Sequence, residues 1–400
     1  MIFDNKFGMF IHWGIYSCLG LHEQALARYD ISHGEYERLA SDFNPTEYDP
    51  AGWVRLAKEA GMKYICFTAK HHDGFCMWDT KETDYNVMNT PYGKDVLKML
   101  SEACEKAGIL LSIYYSNPDW HHPYGYNPAS SHQWKAKFKN QTDTVKYREF
   151  VKRQVTELLT GYGRIYTFFW DIPPKICDPS MNELVRRLQP GILINDRGYD
   201  DGDFSTPERE YEESDAGRFT RMTEACNSVG QQSWGYRKGE NFYSKKHLCS
   251  AIDRYMAAGA SYLLNVGPDS LGRIAPEYSN KIRRIGDFYN RVKGSLESTD
   301  GDSYDYGIKT NKYIATKKDN KTYLHFYEGL ISDAVSLSRY PQKPRAVRLL
   351  NTGESLDHSI TYLPESFAWD SESLKRRNLL ISGIDIDSLS DEPIVIEIEW

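Results

Sequence analysis

The seven cysteines of this 400-residue chain are odd in number, scattered from Cys18 to Cys249, and include no C-x-x-C pair. That excludes a disulfide framework and a structural zinc site, and favours reduced thiols. No apolar run is long enough to span a bilayer. Residues 1–6 lack the apolar core of a signal peptide, so a cytoplasmic location is expected. Positive charge is also in deficit: the formal net charge of −7 argues against nucleic acid or an anionic membrane as the main partner. Finally, no G-x-G-x-x-G or G-x-x-x-x-G-K motif opens the first helix, which removes the usual signature of a nucleotide-binding open sheet.

Aromatic residues, in contrast, are plentiful, with 29 tyrosines and 9 tryptophans. Most must be core, but rings with flat apolar faces and polar edges also suit a sugar-binding cleft. The length calls for two domains. Over residues 1–297, apolar β-prone runs (7–13, 63–68, 109–115, 165–170, 192–194 and 262–266) alternate with amphipathic segments (50–60, 95–107, 142–159, 181–188, 245–258 and 276–292). Such runs read as parallel strands buried on both faces, joined by helices. Polar residues gather just after several of the strands: His12, His71-His72, Asp119, Asp171 and Asn195-Asp196-Arg197. Sites assembled from many strand ends are the habit of (β/α)8-like barrels of the TIM type, which is the expected fold class. Residues 301–400 carry short β-prone segments separated by turn residues, and predict a small antiparallel β-sandwich. No aromatic platform stands out among them, so a structural role is expected for that domain.

Asp171 ends the run Tyr166-Thr167-Phe168-Phe169-Trp170, which puts a carboxylate at the catalytic end of a strand. There it is a nucleophile, a metal ligand or a satisfied structural acid. Retaining glycosidases need a second carboxyl group about 5 Å away to protonate the leaving oxygen and then activate water. Glu208 and Glu224 are the downstream candidates, whereas Glu210, Glu212 and Glu213 read as a solvated acidic loop. Three histidines at strand ends either ligate a metal or bond sugar hydroxyls. Adjacent residues on a strand point to opposite sides, so His71 and His72 are expected to diverge, which is poor geometry for one ion.

Several blocks resemble the α-L-fucosidases of glycoside hydrolase family 29: FGMFIHWGIYS at 7–17, AKHHDGF at 69–75, MWDTK at 77–81, YYS at 114–116, NDR at 195–197, SWGY at 233–236 and YLLNVGP at 262–268. They fall in matching order over nearly the whole chain. The resemblance implies a retaining exo-glycosidase that removes terminal α-L-fucose through a covalent intermediate, with no metal or organic cofactor. Asp171 matches the nucleophile and Glu208 the acid/base, with Glu224 as the other match. His12, Glu23, His71, His72, Tyr114 and Arg197 match residues that hold the fucose hydroxyls, and Trp234 matches an aromatic wall. A fucosylated glycan is the implied partner, and self-association into a homo-oligomer stays open. Competing readings are an α-L-galactosidase-like enzyme and a fucose-binding protein that has lost catalysis. Three departures alter the rim: Ile172-Pro173-Pro174 where many relatives have Gly and a polar or aromatic residue, Gln24 in place of a common Trp, and Met222-Thr223 in place of an aromatic.

Overall fold

A computed structural model describes residues 6–209, 218–340, 342–362 and 377–400; Glu210, Glu212 and Glu213 lie outside the described residues. Seven strands form one parallel sheet: β1 (Phe7–Ile11), β2 (Tyr64–Lys70), β3 (Leu110–Ser116), β4 (Ile165–Asp171), β5 (Leu193–Ile194), β6 (Glu224–Ser228) and β7 (Ser261–Val266). Their order is β5-β4-β3-β2-β1-β7-β6. β1 and β2 are buried at every residue, which explains why they read as unbroken apolar runs rather than alternating ones.

Short helices α1 (Ala25–Arg28) and α2 (His33–Glu37) follow β1. The outer layer is α3 (Pro50–Glu59), α4 (Val96–Ala107), α5 (Thr144–Gly161), α6 (Pro179–Leu188), α7 (Lys245–Ala257) and α8 (Pro276–Val292). Several start on a side chain that accepts an otherwise unpaired backbone N–H: Asp49 from Gly52 at 2.9 Å, Asp95 from Lys98 at 2.8 Å, Asp143 from Lys146 at 3.0 Å and Ser244 from His247 at 3.1 Å.

The edges β5 and β6 do not pair with each other. Residues 203–209 fill the space between them as an irregular stave. On one side Asp203 N–H donates to Ile194 O (2.6 Å) and Asp196 N–H to Phe204 O (2.9 Å). On the other, Glu224 N–H donates to Ser205 O (2.8 Å), Cys226 N–H to Pro207 O (3.0 Å) and Arg209 N–H to Cys226 O (3.1 Å). The sheet thereby closes on itself, as a (β/α) barrel requires. Inside it, Phe10, Tyr64, Tyr114, Phe169 and Leu263 pack together. Gly8 is needed for that filling, because a Cβ there would lie 2.4 Å from the Tyr64 ring.

The sequence did not mark β6. Its residues EACNS are all buried although Glu224, Asn227 and Ser228 are polar, because partners exist within the barrel wall and interior: Tyr64 donates to Glu224, and Asn265 Nδ2 donates to Ser228 Oγ at 3.0 Å. Hydropathy cannot register a strand whose buried groups are satisfied by side chains of other strands.

The second domain contains β8 (Asp300–Asp302), β9 (Ile314–Lys318), β10 (Lys321–Phe326), β11 (Ala334–Leu337), β12 (Ala346–Leu349), β13 (Asp357–Tyr362), β14 (Arg377–Ser382) and β15 (Ile394–Glu399). A five-stranded sheet (β12-β15-β10-β9-β8) and a three-stranded one (β11-β14-β13) share a core that includes Leu324, Leu337, Leu379 and Ile396. The two domains are joined by buried polar contacts. His325 on β10 lies 2.7 Å from Asp253 on α7, and Glu392 takes Lys245 at 2.7 Å and Arg291 at 2.6 Å.

Candidate active site

The C-terminal ends of the barrel strands surround a cavity of about 140 Å³. His12 enters it directly after β1 and Glu23 from the loop beyond. His71 and His72 follow β2, Tyr114 lies on β3, and Asp171 is the last residue of β4. Arg197 arrives after β5, Glu208 from the closing stave and Trp234 after β6. Nine sequence-predicted residues thus share one cavity although they come from separate segments of the chain, which a barrel's strand-end geometry allows.

Asp171 sits at the centre of the polar network. Tyr114 donates its hydroxyl to Oδ2 at 2.6 Å, and Arg197 Nη1 donates to Oδ1 at 3.1 Å. The same Nη1 reaches Glu208 Oε2 at 3.0 Å, while Nη2 is fixed on Thr206 O at 2.6 Å. One guanidinium nitrogen therefore bridges both carboxylates, and two of their oxygens lie within two hydrogen-bond lengths of each other. Burial alone would raise the Asp171 carboxyl, but Arg197, His72 and the Tyr114 hydroxyl outweigh it and hold the group below its ordinary value. Asp171 is thus kept as an anion. Glu208 is the more open of the pair, its side chain 38% accessible against 12% for Asp171.

The three histidines are neutral. Burial takes His12 and His72 down to about 4, against the pull of Glu23 on the first and Asp171 on the second. Burial and the other histidines push His71 well below its usual range. Hydrogen bonds also assign tautomers. Asn265 uses its Nδ2 to donate to Ser228 Oγ and Trp234 O, so its Oδ1 accepts from His12 Nδ1 at 2.7 Å. Ser116 donates to Pro118 O, so its oxygen accepts from His72 Nδ1 at 2.7 Å. Both rings therefore keep Nε2 as an acceptor for a ligand hydroxyl.

Two expectations need correction. His71 and His72 do not diverge: both line the cavity, with ring centroids 4.1 Å apart. They lie just past the end of β2, where its register with β3 has already slipped between Thr68 and Lys70, so strict strand alternation no longer applies. Among the described residues, no three His, Cys, Asp or Glu side chains converge as a metal site. Glu224, the second candidate for the acid and for ligand contact, is not in the cavity. It opens β6 at the opposite end of the barrel, where Tyr64 donates to its Oε2 at 2.5 Å. Burial lifts it to about 7, partly opposed by that tyrosine.

Glu23 has a positioning part in the site. Its Oε2 gathers Ser233 Oγ (2.7 Å), Trp234 N–H (2.9 Å) and Gly235 N–H (3.2 Å), which seats the Trp234 loop. Trp234 stands 5.2 Å from the His12 ring, with the Arg209 guanidinium 4.6 Å over its face. Gln24 and Ile172, expected at the rim, also line the cavity, whereas Phe10, His132, Phe169 and Cys226 are lining residues that sequence reasoning missed. Two were within reach: Phe10 and Phe169 precede His12 and Asp171 by two residues, the spacing that puts strand side chains on one face. Nothing in the sequence pointed to His132, which belongs to a long irregular loop.

The family model described as Alpha-L-fucosidase matches residues 2–294. The tissue alpha-L-fucosidase of Rattus norvegicus is 26% identical over 315 residues, covering 71% of this chain and 66% of that protein. The chain spans less than two thirds of the first curated relatives it matches. Alpha-L-fucosidase isoenzyme 1 from Paenibacillus thiaminolyticus superimposes with a TM-score of 0.85 at 28% identity, over 99% of this chain and 97% of that one. An alpha-L-fucosidase from Lactobacillus casei, solved with alpha-L-fucose product, gives 0.67 at 30% identity over 73% and 97%. With the fold, the strand-end cavity and these likenesses in agreement, the chain belongs to the alpha-L-fucosidase family.

Proposed function

We propose that the chain is a retaining exo-glycosidase that hydrolyses terminal α-L-fucosyl residues of fucosylated oligosaccharides or glycoconjugates. The observation that carries this reading is the single Arg197 nitrogen shared by Asp171 and Glu208. Contacts of 3.1 and 3.0 Å to one nitrogen keep the nearest carboxylate oxygens within about 6 Å, under the ~6.5–9.5 Å separation that inverting enzymes use. Asp171 attacks the anomeric carbon as the glycosidic oxygen departs with a proton from Glu208. Glu208 then takes a proton from water, whose oxygen attacks the same carbon and frees Asp171. Double displacement returns the α configuration.

His12 and His72 accept sugar hydroxyls through Nε2, Arg197 donates, and the Tyr114 oxygen, whose proton is held by Asp171, accepts. Phe10, Phe169 and Trp234 supply an apolar wall for the C5 methyl that distinguishes fucose from L-galactose. Fucose bound as product in the Lactobacillus casei relative agrees with that choice. The test is incubation with 2-fluoro-α-L-fucosyl fluoride followed by peptide mass mapping, beside a stereochemical assay of the first-formed product. A fucosyl adduct on Asp171 and an α product are expected. A β product, or faster release from an α-L-galactoside than from the fucoside, would sink the reading.

A further inference from the structure

The cavity accounts for one sugar, whereas the rim above it carries three features that holding that sugar does not require. His132, in the loop between β3 and α5, lines the cavity 5.4 Å from His72. It lines the same cavity as Asp171 and Glu208 and so borders the route of the leaving group. Trp134, two residues on, is 49% exposed and lies 4.6 Å from the His132 ring. Its half-exposed indole extends the cavity wall outward from His132, and an accessible ring face of that kind suits a sugar's apolar side. Ile172, directly after Asp171, also lines the cavity and adopts φ 59°; a β-branched residue with positive φ is a true outlier, of the kind that persists where surrounding structure enforces it. His132 has φ 59° as well.

The enforcing contacts are visible. Trp120 Nε1–H donates to His132 O at 2.7 Å. Ser130 Oγ donates to Pro173 O at 2.9 Å, and Asn127 Nδ2 to Pro174 O at 2.6 Å. The His132 loop is therefore stapled to the segment after the nucleophile, and Lys139 Nζ holds Trp134 O at 2.7 Å. The rim is a fixed wall.

We infer that Ile172, His132 and Trp134 form the subsite for the departing sugar, a neutral pyranose whose apolar C–H face lies on the Trp134 indole. This rests on the cavity being the fucosyl site. Aromatic stacking suits a sugar's apolar face, and a wall on one side only lets the ring select its linkage: the attachment carbon must direct the glycosidic oxygen to Glu208 while the ring lies flat on the indole.

The experiment compares α-L-fucosyl fluoride, which has no leaving ring, with α1,2-, α1,3-, α1,4- and α1,6-linked fucosyl disaccharides of galactose and N-acetylglucosamine. The readout is the ratio of disaccharide to fluoride kcat/KM. Trp134→Ala should lower that ratio about tenfold for the preferred linkage, and Trp134→Phe should restore most of it. Ile172→Gly should lower it by a smaller factor while raising the melting temperature, since glycine accepts positive φ without strain. Trp134 is exposed, so its removal opens no core. A ratio that holds for every linkage in Trp134→Ala overturns the subsite, as does an equal fall on fluoride and disaccharide. Failure of the wild-type protein to turn over the fluoride would instead overturn the fucosidase reading, so the two failures are distinguishable.

Discussion

Asp171 and Glu224 occupy opposite ends of one barrel, and each accepts a hydrogen bond from a tyrosine, on the adjacent strand for Asp171 and across the barrel for Glu224. Both are buried. Their chemistry nonetheless diverges: the first is held below the ordinary carboxylate range, the second lifted to about 7. The difference lies in what stands beside them. Asp171 has the Arg197 guanidinium at 3.1 Å and His72 within 3.8 Å, whereas burial dominates at Glu224 and only Tyr64 opposes it. A tyrosine hydroxyl alone does not keep a buried carboxylate ionised; a cation does. The open end thus holds a fixed anion, while the closed end holds a carboxyl group that keeps its proton well above the ordinary value.

Removing the proposed nucleophile should break the contrast most severely. Asp171→Ala is expected to cut kcat on an aryl fucoside on the order of ten-thousandfold, with partial rescue by azide and accumulation of β-fucosyl azide, read by NMR. Glu208→Ala should cost about a hundredfold or more on a poor leaving group. On an activated leaving group the first step should survive while deglycosylation slows, which pre-steady-state bursts would display. Glu224→Gln in the same assay should stay within a few-fold of wild type. A large loss there, with Glu208→Ala active, would reverse the assignment.

The sharpest probe of the closed end is stability against pH. Glu224 has a folded value of about 7 against an ordinary 4.5, so the folded state retains a proton that the unfolded chain loses. Its stabilising contribution is complete below pH 4.5 and disappears as the pH rises through 7. Denaturation of Glu224→Gln should therefore gain on wild type by about 3 kcal/mol between those pH values and level off above them. The histidines at the open end work in the other direction. Folded values of about 4 for His12 and His72, against an ordinary 6.5, mean stability present above pH 6.5 and lost on acidification towards 4. That acid limb should remain in the glutamine variant, measured by urea melts across the range.

How legible these regions were follows from the same physics. Asp171 was conspicuous because an apolar parallel strand ended in a lone carboxylate, and His12 and Arg197 because they followed strands in turn. Glu224 was misplaced because β6 is polar: its buried groups are satisfied across the barrel by Tyr64 and from the adjoining β7 by Asn265, contacts far apart in sequence. The side-by-side entry of His71 and His72 depended on a register slip that no periodicity rule encodes. The rim of His132 and Trp134 lay in an irregular loop, whose course is set by staples to residues 173 and 174 rather than by any pattern.

The stave at 203–209 has a consequence for how such enzymes can change. Asp171 is fixed by the register of a full strand between two others, so moving it by one residue would turn every neighbouring side chain the wrong way. Glu208 hangs on an irregular connector with little register to lose. A shift in that connector would move the proposed proton donor without disturbing the strand that carries Asp171, so the placement of one carboxylate can be tuned independently of the other.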